Sequence, residues 1–159
     1  MGEHGLISWR GRCLPEWVDY NGHMSEAYYV LAFGYASDGL MEAIGVDPDF
    51  RAAQTASVYT LESHIHYLDE VPGGTLLTVT TQLLEADHKR LRYFQRLWAE
   101  NKPEPVATTE LLGLYVTGKP PKSAVFPAEI QAKVDALRAA HAAIAWPPVA
   151  GQGIALKRR

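Results

Sequence analysis

Apolar and polar positions follow two different periods along the chain. Over residues 27–44 apolar side chains occur on most faces of a 3.6-residue repeat, Leu31, Phe33, Tyr35, Leu40 and Ile44 among them. This predicts one long helix buried almost all round. Ser25 suits its N-cap and Glu26 complements its positive end. Gly45 suits the stop, and Asp47-Pro48 reads as the following turn. From residue 57 the period becomes two. Residues 57–68 put Tyr59, Leu61, Ser63, Ile65 and Tyr67 on one face of a strand, with Val58, Thr60, Glu62, His64 and His66 on the other. After a turn at Pro72-Gly73-Gly74, residues 75–86, 90–100 and 106–116 read as three more strands. Residues 6–14 read as a short first strand that Pro15 ends. Pro127 opens an Ala-rich helix reaching about residue 145.

The order is therefore a short strand, one greasy helix and four long strands joined by short turns. Short turns make antiparallel neighbours. An apolar helix and an antiparallel sheet satisfy each other's burial if the sheet wraps the helix. The expected class is α+β: a curved antiparallel sheet around one long central helix, with an extra C-terminal helix. That is the outline of a hot-dog fold. Such a sheet keeps open edges, and pairing them between copies predicts a homodimer or homotetramer.

At 159 residues the chain suits one domain, expected over residues 1–145, with a mobile tail over 146–159. A formal charge of −3 argues against a nucleic-acid partner, which needs a basic face. No apolar run approaches the roughly 18 residues of a membrane span. The first residues lack an apolar signal core. The single cysteine, Cys13, forms no internal disulfide, so a cytoplasmic location is expected.

The chemistry concentrates in Asp19-Tyr20-Asn21-Gly22-His23-Met24-Ser25, just ahead of the long helix. The first turn of a helix offers unpaired N–H groups and a positive dipole end. Those donors can hold a carbonyl and stabilise the oxyanion formed on attack. Asp19 would then attack directly or deprotonate a water. Gly22 lets backbone approach a ligand closely, with Asn21 beside it. His23 would position the substrate or orient the loop.

This loop, in a D-x-N-G-H-M-[NS] frame between a short strand and a long helix, resembles the active-site loop of hot-dog thioesterases of the 4-hydroxybenzoyl-CoA thioesterase type. The resemblance implies hydrolysis of an acyl-CoA thioester without metal or organic cofactor. Asp19 matches the family's catalytic aspartate, and Glu26 the position whose backbone N–H polarises the carbonyl. Ser25 stands where many members have Asn. The longer stretches PEWVDYNGHMSEAYYVLAFGYASD and SVYTLESHIHYLDE are similar to thioesterases of carnitine catabolism, whose implied substrate is betainyl-CoA. A trimethylammonium head makes no ordinary hydrogen bonds and needs aromatic faces. Trp17, Tyr20, Tyr28, Tyr59 and Trp98 are the candidates for such a cage; ordinary packing is the alternative reading of each.

Three further groups complete the reading. Glu62, His64 and His66 share a strand face, but alternate strand residues lie about 6.5–7 Å apart, too spread for one ion, so no metal is expected. Glu62 could pair with the cationic head or assist water activation. Lys89, Arg90 and Arg92 follow a turn and could hold CoA phosphates, or simply protect an edge. No Gly-x-Ser-x-Gly elbow supports a serine route. Two rivals stay open: a hot-dog dehydratase or hydratase, disfavoured by the late positions of Asp38 and Glu42 on the helix, and a non-catalytic acyl-CoA binding module.

Overall fold

The computed structural model describes residues 3–155. β1 (Leu6–Arg12) leads through a 3-10 turn (Pro15–Trp17) to α1 (Glu26–Ala43) and α2 (Pro48–Gln54). Then follow β2 (Ala56–Tyr67), β3 (Leu76–Ala86), β4 (Arg90–Ala99), β5 (Ala107–Thr117), the two-residue β6 (Lys122–Ser123) and α3 (Ala128–His141). All pairings are antiparallel, in the order β1-β3-β4-β5-β2, with β6 added to β5. β1 and β2 are therefore the long-strand edges. With α1 packed on its inner face, this is the α+β hot-dog arrangement expected from the element order.

Alternation along β4 sends Leu91, Tyr93, Gln95 and Leu97 inward, all fully or almost fully buried. They meet α1 in two apolar clusters. One gathers Trp17, Met24, Tyr29 and Phe33 with Leu77, Val79 and Leu97 near the start of α1. The other gathers Leu40, Met41 and Ile44 with Tyr93, Tyr115, Ile130 and Val134, so α3 closes that end of the core. Buried polar groups sit within the core. Tyr93 Oη lies 3.1 Å from Ser37 Oγ, and the Gln95 amide lies 3.2 Å from Thr81 Oγ1. Ser8 and Thr81 hydroxyls are 2.7 Å apart. Such groups are tolerated inside because each finds a partner.

Four expectations need correction. First, α1 is not buried all round: Tyr29, Ala32, Phe33, Ala36, Leu40 and Met41 are inside, whereas Val30, Leu31 and Tyr35 are exposed. One sheet covers one face of a helix, and this chain supplies one sheet. Second, Asp47-Pro48 starts a helix instead of a simple turn. Asp47 Oδ1 accepts the Phe50 N–H at 2.8 Å, and proline suits the first helical position. Third, β2 does not alternate throughout. Thr60 pairs with Gly113 but Glu62 with Leu112, so Leu61 is an extra residue. The bulge puts Tyr59 on the Glu62 face, not the Ser63 face. Fourth, Ser25 occupies the N-cap of α1, but its side chain makes no capping hydrogen bond.

The segment after α3 lies along the outer face of the sheet. Gln82 Nε2 donates to the carbonyls of Ile144 and Ala145 at 3.3 Å. Arg92 lies over the Trp146 ring, 5.4 Å from its centroid. The Gly151 N–H donates to Glu110 Oε2 at 2.7 Å. The terminal Lys157-Arg158-Arg159 lies outside the described residues.

Candidate functional site

The chain enters α1 through a small hairpin. Val18 bridges Met24, the Asp19 N–H donates to the His23 carbonyl at 3.0 Å, and the Gly22 N–H donates to the Asp19 carbonyl at 3.0 Å. Gly22 has φ +84, the left-handed conformation that closes such a three-residue loop and that a Cβ would strain. Asp19 Oδ1 accepts the Asn21 N–H at 2.8 Å, which sets the carboxylate's direction locally. The hairpin is tied to the body of the protein by the Met24 N–H to Val71 (2.8 Å) and the Ser25 N–H to Trp17 (2.9 Å).

The helix start then becomes chemically available. The Tyr28 N–H is used by the Ser25 carbonyl at 3.0 Å. The N–H groups of Glu26 and Ala27 have no partner among the described residues: the first helical N–H groups lack an intrahelical acceptor, and the Ser25 side chain makes no capping bond. Two unpaired donors at a helix N-terminus are suited to an oxyanion.

His23 is partly exposed, and its Nε2 pairs with Glu70 at 3.3 Å. Asn21, Gly22 and Tyr20 lie at the exposed loop tip, Tyr20 being 97% exposed. Asp19 is half-buried and lines neither of the two cavities below.

The five aromatic candidates are not gathered together. Trp17 and Tyr28 stack on each other, centroids 5.3 Å apart and planes 11° apart, which spends their facing surfaces on one another. Tyr59 is half exposed on the outer side of β2. Trp98 is on the outer face of β4, its Nε1 donating to Thr80 Oγ1 at 3.0 Å. Nor are two of the three basic candidates free. Arg90 pairs with Asp87 at 2.6 Å, and Arg92 bridges Glu85 (2.7 Å) and Glu110 (2.6 Å). Those carboxylates hold the Arg92 guanidinium above its ordinary pKa, Glu85 most strongly. Lys89 makes no ion pair among the described residues.

One cavity of about 540 Å³ lies on the outer face, between Glu62, His64, Glu110, Arg92 and the C-terminal segment. The other, about 320 Å³, opens between the start of α1 and the end of β2. It brings Glu26 beside Tyr29, Tyr67, Asp69 and Glu70. Of these only Glu26 is a candidate from sequence. Residues 26–29 and 67–70 are distant in the chain, and no spacing signals their meeting.

Comparison with known proteins is consistent across sequence and structure. The Thioesterase-like superfamily matches over residues 13–134. A betainyl-CoA thioesterase of Pseudomonas aeruginosa is 42% identical over 151 residues, 95% of each chain. An L-carnitine dehydrogenase/betainyl-CoA thioesterase of Rhizobium meliloti is 42% identical over 142 residues, 89% of this chain but 28% of that longer protein. A solved Pseudomonas putida structure described as a thioesterase candidate superposes with a TM-score of 0.85 at 37% identity, covering 97% of this chain and 98% of its own. A Staphylococcus aureus protein solved with CoA gives 0.87 at 25% identity, covering 96% and 97%. No helix among the described residues is long and apolar enough to cross a membrane. Identity along nearly the whole length and a shared sheet-and-helix architecture agree: this chain belongs to the Thioesterase-like superfamily and is itself a thioesterase.

Proposed function

We propose that the chain hydrolyses an acyl-CoA thioester, and specifically betainyl-CoA, to give glycine betaine and free CoA. Water is consumed, the C–S bond breaks, and the sulfur leaves as the thiol. Asp19 acts as the nucleophile or as the base that activates the water, and the N–H groups at the start of α1 hold the carbonyl oxygen as it gains charge. The observation that carries the mechanism is the pair of unsatisfied donors at Glu26 and Ala27, reached through a hairpin that holds an acid at position 19. The substrate is supported by the betainyl-CoA relatives at 42% identity.

The same reading includes an oligomer, a homodimer or homotetramer. β2 is a 12-residue edge strand, and Tyr59, Leu61 and Tyr67 on it are exposed. Pairing that edge with a second copy hides its free backbone groups. The cytoplasm suits a chain whose single cysteine is buried and unpaired.

The experiment is thiol release from a panel of CoA esters, betainyl, acetyl and longer acyl. Betainyl-CoA is expected to give the highest kcat/KM. Binding of the esters without thiol release would replace catalysis by a sensing role.

A further inference from the structure

The cavity between α1 and the end of β2 has walls of unusual chemistry for its size. Tyr29 and Tyr67 meet edge to face, with centroids 5.3 Å apart and planes at 86°. Tyr67 is about half exposed and has a ring face open to the cavity, whereas Tyr29 is buried, its Oη donating to the Asp69 carbonyl at 3.1 Å. Glu26, Asp69 and Glu70 supply carboxylates, and no lysine or arginine lines the space. Asp69 is answered by Lys102 at 2.6 Å and Glu70 by His23 at 3.3 Å. Glu26 has no ion-pair partner among the described residues. Burial is the main influence on both ring hydroxyls, and nearby carboxylates add to it. Burial and then the Glu26 carboxylate raise the pKa of Tyr67. Tyr29 is pushed up to about 12, mainly by burial, with Cys13, Asp69 and Glu70 adding to it.

We infer that this cavity holds the cationic head of the acyl group, with Tyr67 offering a ring face, the buried Tyr29 backing the aromatic wall and the Glu26 carboxylate offering the counter-charge. The inference rests on the betainyl-CoA reading above and names the residues that select that substrate. A quaternary ammonium is recognised by aromatic faces and nearby negative charge, because it has no donor or acceptor to offer. In betainyl-CoA one methylene separates the carbonyl carbon from the nitrogen. Glu26 has its N–H at the open helix start and also lines the cavity. One residue thereby addresses both ends of a short acyl group. An uncharged head gains apolar contact but no charge attraction from these walls, and an anionic one is repelled.

The test compares betainyl-CoA with 3,3-dimethylbutyryl-CoA, which has the same shape with carbon in place of the charged nitrogen. The readout is the ratio of the two kcat/KM values in the intact protein. Wild type is expected to favour betainyl-CoA by at least about 10-fold. Glu26→Gln and Tyr67→Leu should each reduce that ratio by about 10-fold, chiefly through KM for betainyl-CoA, whereas Tyr67→Phe keeps the ring face and most of the preference. A wild-type preference that survives both Glu26→Gln and Tyr67→Leu overturns the assignment of this cavity while leaving the substrate intact. A wild type without preference overturns the substrate, and this assignment with it. Should Tyr67→Leu fail to fold, Glu26→Gln on an exposed side chain decides the matter.

Discussion

The Asp19 carboxylate accepts the backbone N–H of Asn21 at 2.8 Å, so the acid proposed for catalysis also closes its own turn. The two roles separate experimentally. Asparagine preserves the accepting oxygen and the shape but can neither attack nor take a proton. Asp19→Asn is expected to lower kcat by about 100-fold or more, with an unchanged thermal midpoint. Thiol release and a melting curve on the same sample check both halves. Near-normal turnover in that variant would remove Asp19 from the mechanism.

β1 runs alongside β3 only as far as the Leu6–Thr81 pair, and beyond it the Leu83 N–H donates to Nδ1 of His141 at 2.9 Å. Burial lowers the pKa of this histidine. The folded state therefore keeps the imidazole neutral where the unfolded chain would already bind a proton. Its contribution is complete above the ordinary value near 6.5 and is lost as the pH falls toward the lowered folded value. Urea midpoints measured at about pH 7.5, 6 and 5 should fall for wild type. His141→Gln, which can still accept the Leu83 N–H, should show a shallower fall.

The turn between β3 and β4 gives a second acid sensitivity of the same sign, in a lower pH window. Asp87 loses some solvent, which opposes its charge. The amides of Lys89 and Arg90 and the Arg90 guanidinium outweigh that and bring its pKa to about 2. A lowered carboxylate pKa stabilises the fold above the unfolded value of 3.8, and the stabilisation disappears as the pH drops through about 2. Discounted for the exposure of the pair, Asp87→Ala should cost about 1 kcal/mol at neutral pH. Chemical denaturation should show wild type and variant converging as the pH approaches 2.

Two glycines on one helix should answer alanine in opposite directions. A Cβ on Gly39 would fall 2.0 Å from the Ser8 carbonyl oxygen, because α1 lies directly on β1 there. A Cβ on Gly34 meets nothing within 4 Å. Gly39→Ala is expected to destabilise by about 1–3 kcal/mol through overpacking. Gly34→Ala should stabilise by up to about 1 kcal/mol through helix propensity, if the face remains open in the oligomer. Equilibrium unfolding distinguishes the two signs.

The edge strand predicts a mass. Light scattering should give about twice the 17.6 kDa of one chain, or four times for a tetramer. Leu61→Lys puts a charge on the exposed bulge of β2 and is expected to shift the population toward monomer. A wild-type protein that stays monomeric at high concentration would remove the oligomer from the proposal.

The sequence by itself determined the elements that local physics controls. Period-two alternation in β4 places Leu91, Tyr93, Gln95 and Leu97 together on one face, because neighbouring side chains on a strand must point to opposite faces. The Asn21-Gly22 pair marks a loop before α1, and Gly22 takes a positive φ there. Tertiary structure decided what depends on neighbours. The face of α1 left open follows from having one sheet to cover it, although its sequence is apolar on most faces. The bulge at Leu61 follows from the register against β5, which no alternation within β2 can reveal. The union of Glu26, Tyr29 and Tyr67 in one cavity follows from the fold bringing the end of β2 to the start of α1. Spacing along a chain speaks only for residues within a few turns of each other, and these lie about forty apart.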